Sequence, residues 1–415
     1  STPVSIDYTP LNARGPDFQN QYGPISLTSD LYVTFVVSVL ALRGYKQQQP
    51  FIDEDGNILL YNGEIYEGSL QIKPDDNDGV LLSHHLKQCS NDIDICNLIS
   101  TLEGCFAFIY FQKKTNSLYY GRDRLGRRSL LYSIENDSQS NIKLIISSVR
   151  LNHLSYTELD SCILHKLTVI QTNNTFKIDS IPYIKHSIDS IPFEPPTILL
   201  TEFESNSIFQ NISKTFLNQL QAAVQRRILN LPSLCRQCKR STDSNLRPIN
   251  GCQHATKFYV LLSGLGADEQ LAGYSRHRTT YRLGGWKALE NELEMEMNRI
   301  SKRNLGRDDR VISSLGKEVR FPYLDEQLVN YLRSIPIWHK ADLRLARGIG
   351  EKYLLRYIAR HYLSLEQSSK YPKRAIQFGS RIAKLESKKE KASDQCSRLT
   401  TTNNNNNNNN IDDEE

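Results

Sequence analysis

The sequence predicts an α+β sandwich over residues 1–170, followed by an α/β domain built on a parallel sheet. Three observations carry this. The first stretch is a series of short β-rich runs divided by turn signals, the pattern of an antiparallel sheet. One helical periodicity interrupts it, at Gly79–Lys87, where Val80, Leu81, Leu82 and His85 form an apolar side. Further on, Phe258 to Arg278 reads as an apolar strand, a glycine turn (Ser263, Gly264, Gly266) and a helix start with Asp268 and Glu269 in its first turn. Strand, glycine turn and helix N-terminus form the repeating unit of a parallel sheet and a natural seat for phosphate. A plain βα corner with a solvated acidic turn fits the spacing equally well.

The totals narrow the class. A chain of 415 residues, 39% hydrophobic and 23% charged, has room for two or three soluble domains. A net charge of +5 with dispersed Lys and Arg points away from nucleic acid and acidic membranes. The longest apolar run, within Leu31–Leu42, is too short to span a bilayer. Eight cysteines without a disulfide framework suggest reduced thiols and a cytoplasmic setting.

In order, the expected strands are Tyr32–Leu42, Ile58–Tyr61, Cys105–Phe111, Ser117–Arg122, Leu130–Ile134 and Lys143–Ser147. Residues 171–206 read as a last strand or two and then a linker around Ser190–Pro196. A helix follows at Ser207–Leu229, with Ile208, Ile212, Phe216, Leu220, Ala223, Val224 and Ile228 as its apolar stripe. The polar stretch Pro232–Thr256 holds Cys235, Cys238, Cys252 and His254, four donors of the kind structural zinc needs. The second pair is not a Cys-x-x-Cys and fits no finger spacing, so incidental cysteines in a loop are the favoured reading. Leu283–Lys302 carries Trp286, Leu289, Leu293, Met297 and Ile300 on a core-facing stripe, and residues 396–415 form an Asn-rich, acidic, disordered tail.

Short motifs give the N-terminal half a sharper identity. They are Arg14-Gly15-Pro16-Asp17, Asn62-Gly63-Glu64-Ile65-Tyr66, Leu102-Glu103-Gly104-Cys105-Phe106, and Gly121-Arg122-Asp123-Arg124-Leu125-Gly126-Arg127. Each alone has a bland reading: a surface turn, a hairpin at Asn62-Gly63, a core strand, a turn with solvated arginines. Their order and spacing resemble the class II glutamine amidotransferase domain of asparagine synthetases. That resemblance implies an αββα sandwich of the N-terminal-nucleophile type. It implies glutamine binding at Asn62, Gly63, Glu64 and Asp78, with Asn62 and Gly63 as the oxyanion hole. The family nucleophile is an N-terminal Cys. Here residue 1 is Ser1, and the first cysteine, Cys89, is expected to be an incidental thiol. Arg43 stands near the position of the arginine that grips the glutamine carboxylate.

Residues 207–395 resemble the synthetase domain of the same family, of the ATP-pyrophosphatase type. Ser263, Gly264, Gly266, Ala267, Asp268, Glu269, Gly273 and Tyr274 match its second motif. The resemblance implies nucleotide contacts at Ser263 and Gly264, a Mg²⁺ ligand in Asp268, and a phosphate contact in Lys373 of Pro372-Lys373-Arg374-Ala375-Ile376-Gln377. It implies ATP and Mg²⁺ as cofactors and glutamine, aspartate and ATP as ligands, for glutamine-dependent amidation of aspartate. Two departures stand out. Leu265 occupies the place of the catalytic Glu, and no Ser-Gly-Gly-x-Asp-Ser loop lies between Leu231 and Phe258, where about three βα units are expected. Glu318, Arg320 and Asp325 are expected to form buried ion pairs and caps. Two readings therefore compete: a synthetase lacking segments that complete its sites, and a pseudoenzyme whose scaffold serves binding or regulation.

Overall fold

The computed structural model describes residues 6–43, 48–73, 76–136, 142–152, 154–170, 175–183, 192–229 and 259–373. β1 (Phe18–Ser26) and β2 (Tyr32–Val39) pair as a hairpin. β3 (Phe51–Ile52), β4 (Ile58–Gly68), β5 (Leu102–Gln112) and β6 (Ser117–Arg122) are successive antiparallel neighbours. β7 (Leu131–Asn136), β8 (Ile142–Ser147) and β9 (Thr157–Glu158) make a separate sheet in the order 8-7-9. β10 (Ile163–Ile170) and β11 (Thr175–Pro182) rejoin the first sheet, whose order is 11-10-6-5-4-3. The last strand of the sandwich thus comes from beyond residue 170, and Tyr183 behind it is buried in the same core.

Side-chain alternation on β4 to β6 feeds two cores. One face, with Leu59, Phe106 and Phe108, is covered by α2 (Asp78–Gln88) and α3 (Asp92–Thr101) through Leu82, Leu86, Ile95 and Ile99. The other face, with Ala107, Tyr120 and Leu167, meets Leu144 and Ile146 of β8, while Phe35 of β2 reaches Phe111. On the outer side of β8, Ile145 packs with Tyr8 and Leu11 at α1 (Thr9–Arg14). The layers run helix, sheet, sheet; among the described residues the expected outer helical layer is this one short helix.

Asn62-Gly63 does not turn. Both residues lie inside β4, opposite Ala107 and Phe106. Gly63 has φ 146°, and a Cβ there would meet the Cys105 carbonyl oxygen at 2.0 Å. The glycine serves strand approach rather than a hairpin.

The C-terminal half contains α4 (Ser207–Ile228), β12 (Val260–Leu262), α5 (Ala267–Gln270), α6 (Ser275–Ile300), α7 (Gly306–Ser313), β13 (Glu318–Arg320), α8 (Glu326–Arg333), α9 (Ile337–Lys340), α10 (Tyr353–His361) and α11 (Glu366–Ser369). β12 and β13 are parallel, as expected, and form the whole of the parallel sheet among the described residues. Parallel strands are normally covered on both faces. Here the successive residues Leu261 and Leu262, on opposite faces, are 44% and 48% exposed.

The stripe on α6 is buried as its spacing predicts. That on α4 is turned. Phe209, Ser213, Phe216, Ala223 and Arg227 are buried, whereas Ile208 and Ile228 are exposed. Phe209 and Phe216 pack with Leu328, Leu332, Leu354 and Ile358, and Arg227 turns inward to reach Asp325 at 2.7 Å. The ion pair at the last turn lies on the same face as the buried Phe209 and Phe216. Cys235, Cys238, Cys252, His254 and the 396–415 tail lie outside the described residues.

Candidate functional sites

The turn after β6 is the first structural element of the site. Arg122, Arg127 and Arg128 are all buried, not solvated. Arg122 holds the turn by donating to the carbonyls of Arg128, Leu159 and Gly126. Asp123 accepts from the Arg127 Nε at 2.9 Å and from the backbone N–H of Phe106, Leu125 and Arg127. With the turn so fixed, Arg127 and Arg128 point across to the other half of the chain. Arg127 pairs with Glu326 and donates to the Leu324 carbonyl at 2.6 Å. Arg128 reaches Asp309 at 3.2 Å and Glu318 at 2.7 Å.

Arg14 joins them, 2.8 Å from Asp309. Burial pushes the Asp309 carboxyl up, but Arg14 and Arg128 outweigh it and hold the group below its usual range. The expected buried partners Glu318, Arg320 and Asp325 are found: Arg320 Nε donates to Glu318 at 2.7 Å, and Asp325 caps α8 while pairing with Arg226 and Arg227 at 2.7 Å each. The signature motifs of the two halves therefore meet each other. Arg320 also pairs with Glu64, so the network reaches the Asn62-Gly63-Glu64 stretch.

At that point lies a cavity of about 130 Å³. Asn62, Gly63, Glu64 and Asp78 line it, as does Arg43, and the C-terminal half adds Asp309, Ser313, Lys317 and Glu318. All four residues assigned to glutamine by resemblance thus share one cavity. Their environments differ. Asp78, in the first turn of α2, is engaged: it accepts from the Ile65 N–H at 2.8 Å and the Tyr61 hydroxyl at 3.1 Å. Arg43 donates to the Ile65 carbonyl at 2.5 Å. Glu64 is 2% exposed, and its Oε2 is buried without a hydrogen-bond partner. Burial, then repulsion from Glu318, pushes its carboxyl up to about 8. A neutral Glu64 carries a proton that can be donated, and the residue lines a cavity shared by both halves.

No described cysteine lines this cavity. Cys89 is half-buried, its Sγ lies 3.5 Å from the His85 carbonyl, and burial raises the thiol to about 11. That suits an incidental thiol, as expected, because nucleophilic attack needs the thiolate.

The second site is the corner after β12. The Ser263 N–H donates to the Arg320 carbonyl at 2.9 Å, anchoring the loop to β13. Gly266 has φ 99°, and a Cβ there would strike the Leu324 side chain at 2.5 Å, so the fold requires glycine. Gly264 is exposed and faces open space, so packing does not require it. Leu265 packs against the cluster containing Met297, Ile300 and Leu324. Glu269 is buried and accepts from the Gly266 N–H at 3.1 Å and the Tyr274 hydroxyl at 2.6 Å, a structural use.

Asp268 lies between two lysines. Lys352 Nζ is 2.9 Å from its Oδ1, and Lys373 Nζ is 2.6 Å from its Oδ2. Burial pushes its carboxyl up, but Lys352 and Lys373 outweigh that and lower it. Lys373, matched by motif to a phosphate contact, here pairs with Asp268, while Lys352 escaped sequence reasoning. Lys352 stands in the left-handed region at φ 54°, a strained position for a side-chain-bearing residue. Glu351 braces it, accepting from Arg278 at 2.9 Å and from the Gly348 N–H at 2.6 Å. The signal was the positive φ, which sequence does not display. Two ammonium groups beside an open glycine loop suit a polyphosphate anion. The donor set suits a hard cation less well, since Asp268 has both oxygens committed to lysine.

The N-terminal half is a two-layered antiparallel domain with a small cavity, joined by buried ion pairs to a half bearing a glycine corner and paired lysines. By family comparison, residues 38–148 match the glutamine amidotransferase domain and residues 281–409 match asparagine synthase. The chain thus carries one segment similar to each of the two domains. It is similar to asparagine synthetase domain-containing protein 1 of Bos taurus, 29% identical with 94% of each chain covered. A relative from Saccharomyces cerevisiae, also named an asparagine synthetase domain-containing protein, is 26% identical over 90% of this chain and 88% of its own. A putative glutamine-hydrolysing asparagine synthetase of Methanocaldococcus jannaschii is 34% identical over 29% of this chain and 27% of its own. The alignment with the Bos taurus protein extends over 606 positions, more than this chain's 415 residues.

Proposed function

We propose that this chain keeps the ligand-binding scaffold of a glutamine-dependent, ATP-driven asparagine synthetase but lacks the groups for the synthetic step. The family reaction would hydrolyse glutamine in the first domain and pass ammonia to an activated aspartate in the second. The observation that carries the reading is the Ser263–Asp268 corner. Its aliphatic Leu265 lies in an apolar cluster where a catalytic carboxylate is expected, and an aliphatic side chain does no acid–base work. Asp268 is paired with Lys352 and Lys373, whose ammonium groups would hold and neutralise phosphate groups of ATP. Binding at the first cavity would use Asn62, Gly63 and Glu64, with Asp78 and Arg43 shaping the wall.

The test is aspartate-dependent ATP–pyrophosphate exchange alongside calorimetric titration of glutamine. The expected result is glutamine binding without exchange above a no-protein control. A clear exchange signal would sink the claim of lost synthetic chemistry, and absent glutamine binding would sink the scaffold claim. A second reading has its own support. The bare faces of β12 and the length of the family alignment favour a longer form of the protein that completes the parallel sheet and restores synthesis. Exchange by such a form, and none by this chain, would decide for it.

A further inference from the structure

Arg320 is buried and reaches both candidate sites. Its side chain has three partners. Nε donates to Glu318 at 2.7 Å, Nη1 donates to the Arg227 carbonyl near the end of α4, and Nη2 donates to Glu64 Oε1. Its backbone carbonyl accepts the Ser263 N–H at 2.9 Å, the bond that anchors the glycine corner. Glu64 and Glu318 both line the interdomain cavity. The path from that cavity to the corner therefore has two contacts, Glu64 to Arg320 and Arg320 to Ser263. β13 is only three residues long, and β12 is its one strand partner among the described residues, so its side chains do much to hold it.

Two carboxylates share this guanidinium. Glu318 has a second cation in Arg128, at 2.7 Å. Glu64 makes no other ion pair among the described residues, and its Oε2 is buried without a hydrogen-bond partner there. The titratable and charged groups facing Glu64 are Arg320 and Glu318 from β13, Asp78 from α2, Arg43 after β2, and Tyr61 and Tyr66 on β4 itself. Burial, then Glu318, push its carboxyl up to about 8 against the pull of Arg320, so Glu64 changes charge near neutrality. An ionised carboxylate holds a guanidinium more strongly than a neutral acid does. With Glu64 neutral, Arg320 relies on Glu318 and the Arg227 carbonyl. With Glu64 ionised, a third group fixes it beneath Ser263.

We propose that Arg320 is a positioning residue that transmits the charge of Glu64 to the Ser263 loop, so that the two candidate sites are linked. A ligand ammonium in the interdomain cavity favours ionised Glu64, firms the Arg320 anchor and tightens the corner for a phosphate-bearing ligand. By linkage, the second ligand tightens the first by the same factor. The identity of both ligands rests on the proposed function; the link itself does not. Ionisation has opposite local and global signs. It lowers global stability, because unfolding returns Glu64 to water, yet it favours Arg320 in place over Arg320 withdrawn.

The experiment follows the Ser263 amide in the ligand-free full chain by hydrogen exchange corrected for intrinsic rate, from about pH 6 to 9, with the buried Leu293 of α6 as global reference. Ser263 protection is expected to rise at least about fivefold while Leu293 holds or falls, and Glu64→Gln removes the rise. Saturating glutamine below the titration range is expected to raise Ser263 protection in the natural chain and not in Glu64→Gln. No rise, an equal rise in Glu64→Gln, or a change at Ser263 that merely follows Leu293 overturns the proposal. So does glutamine that binds by calorimetry yet leaves Ser263 unchanged. Glutamine that does not bind overturns the scaffold reading instead, and the ligand-free pH series still decides this one. A Glu64→Gln chain that fails to fold leaves the decision with the ratio of Ser263 to Leu293 in the natural chain.

Discussion

The interface between the two halves and the Ser263–Asp268 corner use the same materials: arginines or lysines facing carboxylates beside a tight glycine. They differ in enclosure. At the interface, Asp309, Arg128 and Arg320 are at most 2% exposed, and Asp309 binds two arginines and a backbone N–H. At the corner, the side chains of Asp268, Lys352 and Lys373 keep 14%, 19% and 26% of their surface, and the loop beside them is open. Enclosed charges are locked, because water cannot replace a lost partner. Half-open charges can exchange a partner for a ligand. The first region holds the molecule together; the second leaves its charges and its strand part-exposed.

The sharpest way to break this contrast is at Asp309. Asp309→Ala strands Arg14 and Arg128 in the interior and is expected to lower unfolding free energy by about 3–5 kcal/mol in urea titration. A loss near zero would mean that the interface charges are solvated in solution.

Next is Gly63→Ala, which places a Cβ 2.0 Å from the Cys105 carbonyl at φ 146°. Strain and forced separation of β4 from β5 are expected to cost about 3 kcal/mol, measured the same way.

A smaller effect is the pH dependence from Glu64. Its folded pKa, about 8, is raised from the 4.5 of an ordinary glutamate, so the folded state binds the extra proton between those values. Stability is therefore expected to fall as pH rises through about 4.5–8, and Glu64→Gln should flatten that slope. Asp309 has the opposite sign. Its lowered pKa contributes stability above 3.8 that is lost as pH falls through the folded value.

The smallest effects belong to the corner. Lys373→Ala is expected to cost no more than about 1 kcal/mol, because the pair is part-exposed and Lys352 remains on Asp268. Gly264→Ala, facing open space, should stay within about 0.5 kcal/mol while weakening ATP binding in a filter assay. A large stability loss from either would erase the distinction between locked and exchangeable charges.

Much of the fold was legible. The strands at Ser117–Arg122 and Lys143–Ser147 and the stripe of α6 follow from alternation and 3.6-residue spacing, which local chemistry sets. β1 and β10 escaped notice because polar residues break the alternation in Gln19–Gln21 and His165–Lys166. The turn of α4 was hidden because Asp325, the partner of the buried Arg227, lies nearly a hundred positions away. In the sites, Asn62, Gly63, Glu64 and Asp78, grouped by motif order, do line one cavity, but motif order gave no hint that Asp309, Ser313 and Lys317 line it too.

By itself the sequence determined the likeness to asparagine synthetases, the order of the two matched segments and the Leu265 between Gly264 and Gly266, since each is written in residue identity and spacing. Tertiary structure decided what those residues face. Glu64 became a buried acid because folding desolvates it and brings Glu318 from the far half, against the opposing pull of Arg320. Asp268 lies between two lysines because folding brings Lys373 and the left-handed Lys352 to it from distant parts of the chain. Charge, burial and pKa belong to neighbours brought together by folding, and no local pattern encodes them.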